Sequence, residues 1–371
     1  MADFNPFHEL RRWDRTLIAL ALVLCAIGLV LIVSATSAQP ELRGLPLRQA
    51  LWVVLGLVAM FLAAALDHHG LANLGYLAYG LAVLLLCVVL LTARRSTYGA
   101  TSWLNLHFFY VQPAELAKVA LILALARLLG SRPGRVATLG GLAAPLALMA
   151  GLQFLILKAP DLGTSLVLLP ITMTMLLVAG AKVWHLVLVL AGLAGAGPMV
   201  WPFLHQYQRD RVLSFIDPQA DALGTGYNAI QSQIAVGSGG WFGQGYLRGT
   251  QSQLHFVPFH HTDFIFSVVG EEGGFVLSAL LLLLLLALLA RIGDIALKAR
   301  DLTGALVASG LVAWLGAQSF VNIGMNLGLM PVTGIPLPFV SYGGSSTIAA
   351  FFGLGLALSV RRDSSGTSGA R

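Results

Sequence analysis

Long uninterrupted runs of apolar residues recur along the whole chain and constrain its fold more than any other feature. Stretches such as 81–91 and 279–290 are continuously apolar and form part of longer, mainly apolar runs. Runs of about 18 or more such residues are typical of membrane-spanning helices. Asp, Glu, Lys and Arg make up only 10% of the chain, against about 25% in a soluble domain. Membrane-spanning β-strands alternate in polarity, which these runs do not. The sequence therefore predicts an all-α polytopic membrane protein.

About ten membrane spans are predicted from these runs. Most of the Lys and Arg residues fall in connections on the same side as both chain ends, and cytoplasmic connections carry such an excess. We therefore predict a protein of the inner (cytoplasmic) membrane with residues 1–15 and 361–371 in the cytoplasm. Because the basic residues lie at the ends of the spans, the net charge of +6 indicates contact with membrane lipids and not binding of nucleic acid. The spans lie near residues 16–36, 47–66, 71–92, 112–129, 136–157, 162–180, 183–202, 264–290, 302–328 and 344–360.

One connection, residues 203–262 between the seventh and eighth spans, is far longer than the others and is predicted to lie outside the cytoplasm. Loops of this length are usually either functional or disordered. The segment has an amphipathic stretch with Tyr227, Ile230 and Ile234 on one face, so we predict a folded loop on the membrane surface. Residues 1–371 are predicted to form a single membrane domain, and its Ser- and Gly-rich tail, 363–371, is predicted to be disordered.

A few charged residues fall in or next to predicted spans, where an ionised side chain costs roughly 2.5–3.5 kcal/mol on insertion scales. Glu115 and Lys118 lie three residues apart on one helix, so they can either form an internal ion pair or bind a ligand. Lys158 and Asp161 flank Pro160 before the sixth span, where Asp161 can cap the helix or contact a ligand. Both interpretations stay open for each pair.

Asp263 follows Thr262 at the start of the eighth span. Either residue can cap this helix, whose dipole favours an anion by about 0.3–1 kcal/mol. Alternatively, Asp263 can act as a carboxylate general base, for which burial beneath the long loop would raise its pKa usefully. A continuous helix would place Ser267, Glu271 and Gly274 on the same face as Asp263.

Basic side chains gather at the predicted outer face, where they can bind the phosphates of a lipid head group or remain solvated charges. The neighbouring His260 and His261 lack the Cys or His partners of a zinc site, which favours hydrogen bonding within the loop. No phosphate-binding loop or dinucleotide fingerprint occurs in the sequence. The basic residues are Arg94, Arg95, Lys118, Lys158, Arg209 and Arg211.

Several motifs occur in a fixed order from about residue 100 to residue 346, and together they resemble the SEDS (shape, elongation, division, sporulation) family. One position departs from the family pattern, because Phe259 stands where a Glu usually precedes the His-Thr-Asp motif. The motifs are QPAELAK at 112–118, PDLGTS at 160–165, GYNAIQS at 226–232, GTQSQ at 249–253, HTDFIF at 261–266, EE at 271–272 and PFVSYGGSS at 338–346.

The resemblance implies a peptidoglycan glycosyltransferase that polymerises lipid II outside the cytoplasmic membrane, for cell elongation and cell shape. Its implied partners are lipid II, the growing lipid-linked glycan and a class B penicillin-binding transpeptidase. The aspartate that matches Asp263 is the family's candidate catalytic residue, so Asp263 is predicted to be the general base. The predicted substrate-binding residues are Glu115, Lys118, Lys158, Asp161, Arg209, Arg211, His261 and Ser341.

Charge on the leaving lipid pyrophosphate is the main electrostatic problem of this reaction, and basic residues are predicted to stabilise it. The sequence contains no dedicated metal-binding cluster, but a divalent cation, Mg²⁺ or Mn²⁺, is an additional candidate for this role. Two alternative functions stay open. One is a lipid II flippase, and the other is a non-catalytic scaffold for a transpeptidase.

Overall fold

The computed structural model describes most of the chain, including the predicted spans. The secondary structure of the described part is almost entirely helical, with one antiparallel pair of strands, β1 (Leu104–Asn105) and β2 (Tyr110–Val111). The predicted all-α polytopic fold is confirmed. Arg94 and Arg95 lie outside the described residues, as does most of the predicted N-terminal segment. The described residues are 13–92, 102–105, 110–203, 206–217, 219, 224, 226–254 and 256–365.

Ten helices occupy the ten predicted spans within the described ranges. Seven helical segments, which contain α1, α2, α4, α6, α12, α13 and α14, are long and apolar enough to cross a membrane. The helices α7 and α8 are apolar but shorter, and α5 carries three charged residues over its 18 positions. In chain order the helices are α1 (Arg15–Thr36), α2 (Leu45–Ala65), α3 (His68–Asn73), α4 (Gly75–Thr92), α5 (Pro113–Gly130), α6 (Ala143–Lys158), α7 (Leu162–Val178), α8 (Val183–Val200), α9 (Gln206–Ile216), α10 (Tyr227–Ser238), α11 (Thr250–Gln253), α12 (Ile265–Leu297), α13 (Leu302–Asn326) and α14 (Gly344–Ser365).

Glycines allow the membrane helices to approach one another closely. A Cβ atom on Gly355 of α14 would overlap the carbonyl oxygen of Met60 on α2, and one on Gly75 of α4 would lie 2.5 Å from the carbonyl oxygen of Leu123 on α5. Small residues serve this purpose in membranes because helices there associate mainly through packing. The centre of the bundle is α5, whose residues 117–126 are all buried.

The long helix α12 is broken at Gly274, which has φ +64° and ψ −160°. A break frees backbone groups that must find partners in a membrane. The segment 240–245 supplies them: two of its N–H groups donate to the carbonyls of 271–272 at 2.9 and 3.1 Å, and two of its carbonyls accept from the N–H groups of 275–276 at 2.9 and 3.1 Å. The continuous helix predicted over 264–290 is therefore wrong at this position, and the helix extends further, to Leu297.

The described part of the long connection is folded into the three helices α9, α10 and α11. The helix α10 buries its small residues Ala229, Ser232 and Ala235, and Ser232 Oγ donates to the carbonyl of Asn326 on α13 at 3.0 Å. Ile234 remains 46% exposed. The small-residue face thus anchors the loop to the bundle, whereas part of its apolar face points outward.

Two faces of the bundle follow from the alternation of the spans. The end that carries the long connection and Asp263 is named the Asp263 face, and the other end, which holds 66–69, 298–301 and 361–365, is the opposite face. There Arg362 Nη1 donates to the carbonyls of Ala64 and Ala65 at 3.0 and 3.1 Å. The helix α14 continues to Ser365, so residues 363–365 of the predicted disordered tail are helical.

Candidate functional site

Asp263 lies in the turn that precedes α12, and α13 holds its backbone in place. Its carbonyl accepts hydrogen bonds from Asn322 Nδ2 at 2.8 Å and from Asn326 Nδ2 at 3.2 Å. The N-cap of α12 is Phe264, with no side-chain cap bond. The interpretation of Thr262 or Asp263 as the helix cap is therefore wrong, because the turn places both residues before the cap position. The backbone of Asp263 is thus fixed by α13, independently of the contacts of its carboxylate.

The residues before Asp263 are fixed by the segment that leads into α14. Ser341 Oγ donates to the carbonyl of Thr262 at 2.7 Å and accepts from the N–H of Leu337 at 2.8 Å. The N–H of Tyr342 donates to the carbonyl of His261 at 3.0 Å, and the two rings lie 6.1 Å apart. Since Ser341 is buried, the structure gives it a positioning contact with this turn; its predicted contact with substrate stays a prediction, as does that of His261.

The charges around Asp263 determine its acidity. Burial raises the pKa of the Asp263 carboxyl to about 6; the Arg211 guanidinium opposes this rise, the Asp161 carboxylate adds to it, and a hydrogen bond from Thr262 opposes it. Gly334, at φ +75°, lies beside the carboxylate, and a Cβ atom there would lie 3.4 Å from Asp263 Oδ2. Asp263, Asp161 and Arg211 therefore form one electrostatic cluster.

Asp161 has the predicted capping role. Its side chain accepts hydrogen bonds from the N–H of Thr164 at 2.9 Å, from Thr164 Oγ1 at 2.9 Å and from Gln112 Nε2 at 2.8 Å. The N–H of Gln112 in turn donates to Ser345 Oγ at 3.1 Å. Arg211 Nη1, on α9, donates to the carbonyl of Thr333 at 3.2 Å. Four segments that are distant in sequence thus meet at the Asp263 face.

Glu115 and Lys118 form an ion pair in the interior, with both side chains 0% exposed. Lys118 Nζ donates to Glu115 Oε1 at 2.7 Å and to Gln318 Oε1 at 2.8 Å, and it lies 5.0 Å from the centre of the Trp314 ring. Gln318 Nε2 donates to the carbonyl of Pro336 at 2.9 Å. The pair therefore connects α5, α13 and the segment near Asp263 from within, and its predicted contact with substrate stays a prediction.

Two of the predicted basic residues have local contacts away from Asp263. Lys158 is exposed at the end of α6, with Nζ 5.6 Å from the centre of the Phe154 ring. The Arg209 guanidinium donates to the carbonyls of Trp201 and Pro202, which follow α8, at 3.1 and 2.7 Å. Arg211 is thus the predicted basic residue whose charge acts on Asp263.

The two acids further along α12, Glu271 and Glu272, have partners away from Asp263. Because Asp263 precedes the helix, the predicted shared face of Asp263 and Glu271 is wrong. Glu271 accepts from the N–H groups of Gln251 and Ser252 at 2.6 and 3.0 Å, at the start of α11. Glu272 accepts from Ser34 Oγ on α1 at 2.6 Å. These two carboxylates hold the long connection and α1 against α12, because the break at Gly274 brings the connection close to them.

Residues 14–366 of the chain match the sequence model of the family FtsW/RodA/SpoVE, described as "Cell cycle protein". The chain belongs to this family. The match covers all ten spans and includes each of the residues discussed above, so the predicted resemblance to the SEDS proteins is confirmed.

Individual FtsW/RodA/SpoVE relatives resemble the chain over nearly its whole length. The "Peptidoglycan glycosyltransferase MrdB" of Escherichia coli (strain K12) is 38% identical over 362 residues, which are 96% of this chain and 95% of the relative. A chain solved in "Structural coordination of polymerization and crosslinking by a peptidoglycan synthase complex" has a TM-score of 0.81 at 42% identity, covering 95% of this chain and 99% of that one. The "Rod shape determining protein RodA" of Thermus thermophilus has a TM-score of 0.71 at 37% identity, covering 95% and 97%.

Sequence reasoning missed the amide side chains that build the site in this family member. Gln318, Asn322 and Asn326 recur every four residues along α13 and are all buried. Gln49 of α2, also buried, donates to Thr347 Oγ1 at 3.0 Å and accepts from the N–H of Gly343 at 3.1 Å. The signal was present, since amides at helical spacing within an apolar span need hydrogen-bond partners in the protein interior.

Proposed function

We propose that this multi-pass membrane protein polymerises lipid II into β-1,4-linked glycan strands at the outer face of the cytoplasmic membrane. Its activity is that of a peptidoglycan glycosyltransferase, the activity for which its relatives are named. The assignment of the site rests on Asp263. Its carboxylate is partly buried and lies in one electrostatic cluster with Arg211 and Asp161, and its backbone carbonyl is fixed by Asn322. A base with a pKa near 6 is largely ionised at neutral pH and can still accept a proton.

In the proposed reaction, Asp263 accepts the proton of the acceptor's sugar 4-hydroxyl as that oxygen attacks the anomeric carbon of the donor. A carbon–oxygen bond forms between the sugars, the bond from the anomeric carbon to the lipid pyrophosphate breaks, and the pyrophosphate leaves with the electron pair. Attack opposite to the leaving group inverts the anomeric carbon, which converts an α-linked donor into a β-linked product. Arg211, whose charge acts on Asp263, would supply positive charge to stabilise the leaving pyrophosphate.

A divalent cation, Mg²⁺ or Mn²⁺, is a further proposal for the leaving group. Within the described cluster the Asp161 carboxylate, which Gln112 and Thr164 hold in place, is the group that would hold such an ion, because Asp263 is needed to accept the proton. A bound cation would neutralise charge on the pyrophosphate. The proton transfer described above depends on Asp263 alone.

The partner and the orientation also belong to this proposal. A class B penicillin-binding transpeptidase would crosslink the strands that this chain polymerises, during cell elongation and the maintenance of cell shape. The proposal is supported by the similarity to a chain from a complex described as coordinating polymerization and crosslinking. Both termini would lie in the cytoplasm, which places the Asp263 face outside, where lipid II and the growing glycan keep their isoprenoid tails in the bilayer. Lys158 and Arg209 would contribute positive charge at this surface.

The experiment that tests the function uses purified protein in liposomes, with labelled lipid II supplied only at the Asp263 face. Wild-type protein is expected to form glycan polymer, with and without the transpeptidase. A flippase would move lipid II across the bilayer without polymer, and a scaffold would form polymer only through a partner. If neither arrangement gives polymer, the chain is not the polymerase.

The role of Asp263 is tested with Asp263→Asn. Loss of a general base is expected to lower polymerisation by about 10²–10⁴-fold. The variant should be at least as heat-stable as the wild type, because burial opposes the charged carboxylate and Asn carries no charge. Normal polymerisation by a folded Asp263→Asn variant would show that Asp263 is not the base.

A further inference from the structure

A cluster of histidines and carboxylates lies on the opposite face, where three chain segments meet. His68 is 1% exposed, and its Nδ1 lies 3.6 Å from Asp67 Oδ1 and 3.7 Å from Asp363 Oδ2. The possible ligand atoms of His68, His69 and Asp363 all lie within 4.8 Å of one another. The cluster joins α3, the start of α13 and the end of α14, so its residues come from distant parts of the sequence.

The hydrogen bonding of His68 indicates which of its nitrogens is available. His68 Nε2 lies 3.3 Å from Asp301 Oδ1, and a carboxylate in this position favours a proton on Nε2. His68 Nδ1 then carries a lone pair, and it is buried without a hydrogen-bond partner within the described structure. Its neighbours are the carboxylates of Asp67 and Asp363, which can only accept hydrogen bonds when ionised. A lone pair that faces two carboxylates is unfavourable, and either a proton on Nδ1 or a metal ion bound there would relieve it.

The carboxylates of the cluster are held in place before any ion binds. Asp67 Oδ2 accepts from the N–H of Gly70 at 3.1 Å as the N-cap of α3, and Asp301 Oδ2 accepts from the N–H of Gly304 at 3.0 Å as the N-cap of α13. Each uses one oxygen for the cap and directs the other toward His68. These fixed carboxylates surround the histidines, and Asp301 Oδ1 lies 3.3 Å from Nε2 of His68 and 3.5 Å from Nε2 of His69, where it can orient both rings.

We propose that this cluster is a binding site for a divalent transition-metal ion such as Zn²⁺, held by His68 Nδ1, His69 and Asp363, with water completing its coordination. Ligands about 2.1 Å from a tetrahedral ion lie about 3.4 Å apart, close to the 3.7 Å separation of His68 Nδ1 from Asp363 Oδ2. Asp301 would orient His68 by accepting from Nε2, as carboxylates behind ligating histidines commonly do. The ion would tie α3 to the end of α14 and lies apart from the site at the Asp263 face.

The test measures metal binding directly, so its result does not depend on the proposed enzymatic activity. Full-length protein with a histidine-free affinity tag is placed in nanodiscs, stripped with a chelator and titrated with Zn²⁺ by calorimetry. Co²⁺ is used in parallel, since its visible absorption reports a tetrahedral site. The variants are His69→Gln and Asp363→Asn, which remove exposed ligands, and Asp301→Asn, which keeps the N-cap but weakens the orientation of His68.

The expected result is one Zn²⁺ per chain, an increase in melting temperature on binding, and a tetrahedral Co²⁺ spectrum. Asp301→Asn should weaken binding by about 10–100-fold, and loss of a ligand should weaken it at least as much. The matched controls His185→Gln and Asp294→Asn, which lie outside the cluster, should bind as the wild type does. Absence of binding, or equal binding by all variants, would overturn the proposal. The proposal would also be overturned if the melting temperature changed with pH but not with added Zn²⁺, because a protonated His68 would then supply the positive charge.

Discussion

At the residue scale, the proposed role of Asp263 as the general base would combine two requirements that usually conflict. A general base must be ionised at working pH, which burial opposes, and it must still have appreciable affinity for a proton. Burial raises the pKa of Asp263 to about 6, with Arg211 limiting the rise and Asp161 adding to it. The position of the carboxylate is fixed independently of its charge, through the backbone contacts of Asn322 and Asn326. The acidity of this group can therefore be changed without removing the residue.

This arrangement predicts a pH dependence with a defined sign. Polymerisation should rise with pH through about 6, because Asp263 is active only after it has lost its proton. Asp161→Asn removes a negative charge that raises this pKa, so the rise in activity should shift to lower pH; Arg211→Gln removes a positive charge that lowers it, so the rise should shift to higher pH. The measurement is the initial rate of lipid II polymerisation between pH 5 and 8.

The control for this prediction is Asp294→Asn on the opposite face, which should leave the pH profile in place. Asn at position 161 keeps an oxygen for the N-cap of α7, so the variant is expected to stay folded. An unchanged melting temperature would show that a shift of the pH profile does not come from unfolding. Shifts of Asp161→Asn and Arg211→Gln in the same direction would contradict the electrostatic assignment.

At the element scale, the Glu115–Lys118 pair connects helices that carry the site. Lys118 lies between Glu115 on α5 and Gln318 on α13, with both charged side chains fully buried. Removing water from two charges is costly, and their attraction compensates only while both partners are present. The pair is therefore expected to behave as a unit, and single changes should be worse than a matched double change.

Lys118→Met is expected to destabilise the protein by about 3–5 kcal/mol, because it leaves the Glu115 carboxylate buried without its partner. The double variant Glu115→Gln/Lys118→Met removes both charges and should regain most of this loss. Thermal unfolding in detergent measures both variants. If the double variant is as unstable as Lys118→Met alone, the pair is not the source of the effect; if the stable double variant still polymerises normally, substrate binding by the pair is excluded.

The elements also indicate what sequence can predict. The spans could be located because apolar runs report the length of a helix directly, and motif order indicated Asp263. The break in α12 could not be predicted, since Gly274 is one of several glycines in the motif region and only its backbone contacts with 240–245 distinguish it. Likewise, the sequence could not distinguish a capping role of Asp263 from a catalytic one, because aspartate suits both. The structure excludes the capping role, since Phe264 occupies the cap position.

At the scale of the whole molecule, the two faces of the bundle have different chemistry. The Asp263 face gathers the long connection, the amide side chains of α13 and the start of α14 around one carboxylate. The opposite face gathers the His68 cluster and the end of α14. The helix α14 runs between them, so the two sites share an element although they lie at different ends. Which face lies outside the cell determines whether lipid II can reach Asp263.

The orientation predicts which residues react from outside the cell. In a background with Cys25→Ala and Cys87→Ala, which removes both cysteines of the chain, Arg248→Cys in the long connection should react with a membrane-impermeant maleimide on intact cells. Ser131→Cys, which follows α5 at the opposite face, should react only after the membrane is permeabilised. Both positions are exposed in the folded protein, so differences in reactivity report sidedness rather than burial. The reverse pattern would place Asp263 in the cytoplasm, where it could not polymerise lipid II on the outer surface, although the fold and the charge cluster would be unchanged.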